Sequence, residues 1–343
     1  MEFISTRTNE LPSNKHRVVY NTYPVAFDVV GGGEVQLLSY LREIPQLGFN
    51  SALFDPWHPC LELFDIVHFF SAMPGSLPFC EYISQKKIPL FVSPNMWLDD
   101  AIVESINLEP IKAQLDVADQ IICNSQMELD NFSRILHLPR EKFTTVYCGI
   151  DDVFLLPPDL SIFRKKNKSL SKFVLNVGTV ERRKNQLNLI RAMKAFPDYT
   201  LVLIGNMRDL TYAEECFSEG GSQLVYLGPL LRDEPLLRSA MAACDLFVGP
   251  GLMETPGGAN LEAAAQGAPL VVTEAGSTRE YFRDMVVYFN PTDEKSLEEA
   301  IATALRKKKN DNLRPYICKN FQWRRVLRPL ADSYTQFLKA SMP

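Results

Sequence analysis

The sequence predicts an α/β protein built from two Rossmann-like, doubly wound domains. Three observations carry that expectation. Short apolar runs of strand length alternate with amphipathic stretches of helix length through most of the 343 residues, the pattern of parallel sheets covered on both faces. One turn-rich stretch, residues 156–170 with Pro157-Pro158, interrupts the alternation and reads as a linker. Glycine clusters at 31–33 and 257–258 stand between a strand and a helix, where open α/β sheets bind ligands.

Residues 17–21 read as the first strand. The helix after Gly33 is expected to bury Val35, Leu38, Leu41 and Ile44, with Pro45 shortening or kinking its end. Residues 51–54, 65–69, 87–93, 120–124 and 143–147 supply the other strands of the first sheet. His68, inside one of them, reads as a packed residue rather than a catalyst. Ser125 with Glu128 forms a capping box. The second domain repeats the alternation. Its strands fall at 173–177, 200–204, 223–227, 245–248, 269–273 and 286–289, and helices near 185–195, 212–219, 234–243 and 258–266. A closing helix runs over 322–338. The expected division is therefore 1–157, 158–321 and 322–343. A polar tail, about residues 1–15, is expected to fray.

The length exceeds one simple core, and an apolar fraction of 46% suits a globular chain. A net charge of −5 argues against a nucleic-acid binder. Seven cysteines, without CxxC or Cys/His spacing, read as reduced core thiols. No apolar signal region is seen, and no run approaches the ~20 residues of a membrane span. A cytoplasmic protein is expected, with peripheral contact at the inner face of a membrane as its link to lipid. The basic run Arg164-Lys-Lys-Asn-Lys168 reads as solvated surface, with acidic lipid as the weaker second reading.

The stretch Glu254-Thr-Pro-Gly257-Gly258-Ala259-Asn260-Leu-Glu262 concentrates the chemistry. Glu254 is expected on the loop and Glu262 in the first turn of the helix, both aimed above the strand end. Carboxylates accept hydrogen bonds from neighbouring hydroxyls, so two of them suit diols. The free N–H groups of the helix start attract an anion or sugar hydroxyls. The plainer reading is that Glu262 complements the helix dipole and Glu254 is solvated. Upstream, Gly178-Thr-Val-Glu-Arg-Arg183-Lys184-Asn185 follows a strand and opens a helix. Arg182 is expected to be exposed. Arg183 and Lys184 suit a diphosphate, or else are a charged helix entrance. Gly31, Gly32 and Gly33 let backbone N–H groups approach a phosphate, or make a plain tight turn; they do not form the dinucleotide fingerprint. Asn95 and Trp97 follow a strand end. Asn95 could hydrogen-bond a sugar, and Trp97 could stack on one or pack as a core or rim aromatic. Neither an Asp-x-Asp triplet nor metal-spaced His/Asp/Glu is present.

Four stretches, in order, carry a family resemblance: Gly31-Gly-Gly-Glu34, Ala118-Asp-Gln-Ile-Ile-Cys-Asn-Ser125, Val177-Gly178 through Asn185, and Glu254 through Glu262. Together they resemble the retaining GT-B glycosyltransferases, specifically glycosyltransferase family 4, over nearly the whole chain. The last stretch looks like the family's E-x7-E motif, and Cys148-Gly-Ile-Asp151 like its inter-domain hinge. The resemblance implies two Rossmann-like domains facing a cleft, an acceptor-binding first domain, a donor-binding second domain and a closing helix that crosses back to the first. It implies a nucleotide-sugar donor, UDP-glucose-type first and GDP-mannose-type next, with UDP or GDP as product. The acceptor would be a glycan or lipid-linked sugar. Glu254 would hold the transferred hexose and Glu262 the ribose diol, with the base near Gly205 and Leu227–Leu230. Arg183, Lys184, Gly31–Gly33 and the helix start at Gly258 would stabilise the leaving diphosphate without a metal or other cofactor. Where many family members carry a histidine near the sugar, this chain has Asn95. Two rival expectations are a GT-B nucleotide-sugar epimerase, against which the four histidines argue, and a non-catalytic nucleotide-sugar-binding protein.

Overall fold

The computed structural model describes residues 15–28, 30–73 and 75–340. The tail expected to fray lies outside these residues except for Lys15. The chain divides into two compact units. One holds the chain up to Cys148 together with the stretch from Trp323, and the other is Gly149–Gln322.

In the first unit, six strands alternate with helices: β1 (Arg17–Thr22), α1 (Gly32–Glu43), β2 (Asn50–Leu53), β3 (Ile66–Phe70), α2 (Leu77–Gln85), β4 (Leu90–Ser93), α3 (Asp100–Val103), α4 (Glu109–Asp116), β5 (Gln120–Cys123), α5 (Gln126–Leu136) and β6 (Phe143–Thr145). They form one sheet of order β2-β1-β3-β4-β5-β6, parallel throughout. Every residue of β3 and β4 is buried. That burial on both faces explains why these strands read as unbroken apolar runs. α5 begins where Ser125 Oγ accepts the Glu128 N–H at 3.0 Å. The Glu128 carboxylate reaches back one residue further than a capping box requires, to the Asn124 N–H at 2.9 Å.

The expected face of α1 is corrected. Leu37, Tyr40 and the following Ile44 are buried with Glu34, Gln36, Ser39 and Glu43, while Val35, Leu38 and Leu41 are only half-buried. Polar residues occupy the inner face because they have partners there: Gln36 donates to Asn124 Oδ1 at 2.7 Å and Ser39 to the Val35 carbonyl at 2.8 Å. The helix ends before Pro45, and a 3-10 turn, Ile44–Leu47, follows.

The second unit continues with α6 (Ser161–Lys166), β7 (Phe173–Val177), α7 (Gln186–Met193), β8 (Thr200–Ile204), α8 (Leu210–Gly220), β9 (Leu224–Tyr226), α9 (Pro235–Ala243), β10 (Leu246–Gly249), α10 (Gly258–Ala265), β11 (Leu270–Thr273), α11 (Thr278–Phe282), β12 (Val287–Phe289), α12 (Glu294–Arg306) and α13 (Leu313–Asn320). Its sheet is again all parallel, in the order β12-β11-β10-β7-β8-β9. Counted from β7, this is the dinucleotide-type doubly wound order, which reverses between β7 and β10. The first sheet reverses between β1 and β3.

The boundary falls at 148/149 rather than 157/158, because the segment after Cys148 is bonded into the second unit. Ile150 N donates to the Phe321 carbonyl at 2.7 Å, and Gln266 Nε2 to the Phe154 carbonyl at 2.8 Å. Nor is 156–170 a free linker. Phe163 is buried and stacks on Phe173 at 5.0 Å, and its N–H donates to Ser239 Oγ at 2.8 Å. Arg164, expected as solvated surface, donates to the carbonyls of Leu170, Ser171 and Ala243.

From Trp323 the chain returns to the first unit as α14 (Trp323–Val326) and α15 (Arg328–Ala340). Trp323 packs edge-on to Tyr40, and Tyr334 to Phe91. His68 is fully buried beneath α15, where its ring nitrogens meet Tyr334 Oη at 2.5 Å and Ser93 Oγ at 2.8 Å. Burial pulls its pKa down to about 3, so the ring is neutral and its role is packing.

Candidate active site

The second sheet reverses order at β7/β10, and the loops leaving these two neighbouring strands carry most of the candidate residues. The loop after β7 starts with a close backbone approach. A side chain at Gly205, after β8, would stand 1.9 Å from the Gly178 carbonyl, so glycine alone fits. The loop ends in a 3-10 turn, Arg182–Lys184, and Asn185 in the left-handed region then leads into α7. Two hydrogen bonds tie this turn to the loop after β10. Leu252 N donates to the Arg183 carbonyl at 3.0 Å and Asn185 Nδ2 to the Pro250 carbonyl at 3.2 Å.

Glu254 sits where these loops meet. It is buried, and its carboxylate accepts from Lys184 Nζ at 2.6 Å. Its backbone is held by the segment before α11: Glu254 N donates to the Ala275 carbonyl, and Ser277 N to the Glu254 carbonyl. Glycines make room for it. A Cβ at Gly276 would lie 2.2 Å from the Glu254 carbonyl oxygen, and one at Gly251 2.6 Å from Oε1.

α10 starts after Gly257 with no side-chain cap, which leaves its first-turn N–H groups, including those of Gly258 and Ala259, open to an anion. Asn260 is turned to the loop instead: it is buried and its Nδ2 donates to the Pro256 carbonyl at 2.9 Å. Glu262 is in the second turn, not the first, because α10 begins at Gly258. It is buried against Arg232, whose Nη2 and Nε approach Oε1 at 2.5 and 2.6 Å. Asp151 Oδ2 lies 3.4 Å from the same Nε. Burial pushes the Glu262 carboxyl above the usual carboxylate range; Arg232 pulls it back, and Asp151 adds to the rise.

Arg183 does not join the pair. Its guanidinium is half-exposed and bonds Glu181 at 2.9 Å, while Arg182 is exposed and pairs with Glu215. Leu230 is half-buried on the loop that carries Arg232. Sequence reasoning missed Arg232, which stands in an unremarkable Leu-Leu-Arg-Asp stretch with no motif spacing. Asp151 carried a signal only as part of the hinge-like segment.

In the first unit, the structure brings Gly33 and Asn95 together: a Cβ on Gly33 would lie 2.9 Å from Asn95 Nδ2. The Gly31 N–H, expected to be open to a phosphate, is taken by Glu34 Oε2 at 2.7 Å; Glu34 Oε1 accepts from Tyr23 Oη. Trp97 is 6% exposed and its indole N–H donates to Asp99 at 2.9 Å. It is a core aromatic, without an open face for a sugar. Among the described residues, no group of three His, Cys, Asp or Glu is placed to hold a metal ion, and no helix is long and apolar enough to cross a membrane.

Residues 159–320 match the family model described as Glycosyl transferases group 1, and residues 61–154 match that described as Glycosyltransferase Family 4. With the two parallel sheets, these matches support a glycosyltransferase of GT-B fold. Over 211 residues the chain is 28% identical to alpha-maltose-1-phosphate synthase of Mycolicibacterium smegmatis, a match covering 57% of this chain and 54% of that protein. The chain spans about half the length of that curated relative. Among solved structures, sucrose-phosphate synthase from Thermosynechococcus elongatus superposes with a TM-score of 0.80 at 17% identity, covering 95% of this chain and 100% of the other. Anabaena Alr3699/HepE in complex with UDP superposes at 0.76 with 19% identity, over 93% and 100%.

Proposed function

We propose that this chain is a retaining hexosyltransferase that moves a hexose from a nucleotide sugar of the UDP-glucose type to a glycan or lipid-linked acceptor in cell-surface polysaccharide synthesis. The observation that carries the reading is the Lys184–Glu254 pair at the carboxyl end of β7 and β10, beside the uncapped start of α10. A cation, a buried carboxylate and free helix N–H groups at one switch point suit an anionic leaving group joined to a hydroxyl-rich group. The solved relative that holds UDP supports this donor class.

In the reaction the anomeric C–O bond to the β-phosphate breaks, and negative charge grows on the diphosphate as the sugar becomes oxocarbenium-like. Lys184, Arg183 and the Gly258 and Ala259 amides stabilise that charge; one such donor contributes about 3 kcal/mol. Glu254 accepts hydroxyls of the hexose, and Glu262 accepts the ribose diol. The acceptor oxygen attacks from the face the diphosphate leaves, its proton passes to the leaving phosphate, and the anomeric configuration is retained. The second unit binds the donor and the first the acceptor. Protein cations take the part a divalent metal plays elsewhere.

The test is UDP release from UDP-glucose, without and with oligosaccharide acceptors, in EDTA. Release that persists in EDTA, with an α-linked product from the α-donor, is the expected result. A β-linked product would overturn retention, and loss of activity restored by Mn²⁺ would overturn metal independence.

A further inference from the structure

The second unit carries an exposed face that the donor site does not use. Between residues 156 and 168 the chain is pinned by Phe163 and Arg164, and the intervening side chains turn outward. Leu156, Leu160 and Ile162 are 48%, 48% and 39% exposed. Lys165, Lys166 and Lys168 follow, all exposed. Beside them lies a hollow of about 280 Å³ lined by Leu156, Pro157, Asp159, Ile162, Pro235 and Arg238. Arg238 Nε is buried and has no hydrogen-bond partner. The acid in this lining, Asp159, accepts the Ser161 N–H at 2.8 Å.

Lysines alone would make a solvated face, and apolar side chains alone would suit another protein. Both on one short segment match the boundary of an anionic bilayer. Leucine and isoleucine enter the region between headgroups and acyl chains, and lysines meet anionic headgroups. The chain's net charge of −5 means the attraction must come from such a local patch.

We propose that the face formed by Leu156, Leu160, Ile162, Lys165, Lys166 and Lys168 docks the protein on a bilayer rich in anionic phospholipid. This is independent of which sugar is transferred.

The experiment is co-sedimentation of the full chain with vesicles of phosphatidylcholine alone, or of phosphatidylcholine with phosphatidylglycerol. Binding is expected only to the mixed vesicles, weakening as salt is raised. Each lysine near an anionic surface is worth roughly a fivefold change in affinity, so replacing Lys165, Lys166 and Lys168 by Ala together should weaken binding on the order of 100-fold. Leu160→Glu with Ile162→Glu should abolish it. All five side chains are exposed, so unfolding is not expected, and unchanged circular dichroism and UDP affinity would verify the fold. No binding to mixed vesicles, equal binding to phosphatidylcholine alone, or variants that bind like the parent would each overturn the proposal. The last outcome would place any membrane contact on another surface.

Discussion

Lys184 and Arg183 are adjacent in the chain but differently placed. Lys184 is less exposed and bonds Glu254, whereas Arg183 is half-exposed on Glu181. Lys184→Ala is expected to cut turnover by roughly 10²-fold or more, because it faces charge that grows in the transition state. It also leaves a buried carboxylate without its cation, so some stability should be lost. Arg183→Ala should reduce turnover with little effect on stability. Steady-state kinetics beside thermal melts read both, and an unchanged rate would remove that residue from the site. The two glutamates separate differently. Ribose is common to donor and free UDP, so Glu262→Gln should raise both donor KM and UDP Kd, on the order of 10-fold. Arg232→Ala should do the same, since burial then has nothing to oppose it in neutralising Glu262. Glu254→Gln should lower kcat/KM and leave UDP affinity nearly intact. Calorimetry showing that Glu254→Gln weakens UDP as much as Glu262→Gln would reverse the assignment.

At the scale of elements, the loops at the switch point depend on backbone contact. Gly205→Ala would put a methyl group 1.9 Å from the Gly178 carbonyl. A loss of about 2 kcal/mol or more in urea-unfolding stability is expected, together with weaker UDP binding. Stability within experimental error of the parent would show that the loops can part at no cost. The union of α15 with the first sheet has a pH signature. His68 has a folded pKa of about 3 against an ordinary 6.5. Between those values the unfolded chain binds the extra proton. The stability from neutral His68 is therefore complete above about pH 6.5 and falls toward pH 3, by up to about 1.4 kcal/mol per pH unit. His68→Gln should lack this component between pH 6 and 5. Parallel pH profiles for the two proteins would contradict it. The strands of both sheets were legible because burial on two faces requires apolar runs. α12 was not among the expected helices, although Leu297, Ala300, Ile301 and Ala304 stand at helical spacing and are all buried. The boundary after Cys148 was not legible, because proline-rich sequence shows where a chain turns and not which unit receives its hydrogen bonds.

For the whole molecule, ligand binding provides the broadest test. UDP at 100 times its Kd should stabilise the fold that binds it by about 2.7 kcal/mol, seen as a shift of one thermal transition that Glu262→Gln reduces at the same UDP concentration. A melt unmoved by any nucleoside diphosphate would contradict a donor site in the second unit. Alternating strand and helix periods, glycines at strand ends and the Glu254–Glu262 spacing are local features, so the sequence by itself determined the α/β class, two parallel sheets and the loops that carry the candidate residues. The tertiary structure decided the partners. Lys184 meets Glu254 across 70 residues and Arg232 meets Glu262 across 30. It turned Trp97 into the core, gave the Gly31 N–H to Glu34 and set Arg183 on Glu181. Local periodicity records which face of an element is buried. Which charges meet depends on strand order and on loops brought together at the switch point, and no spacing along the chain encodes that.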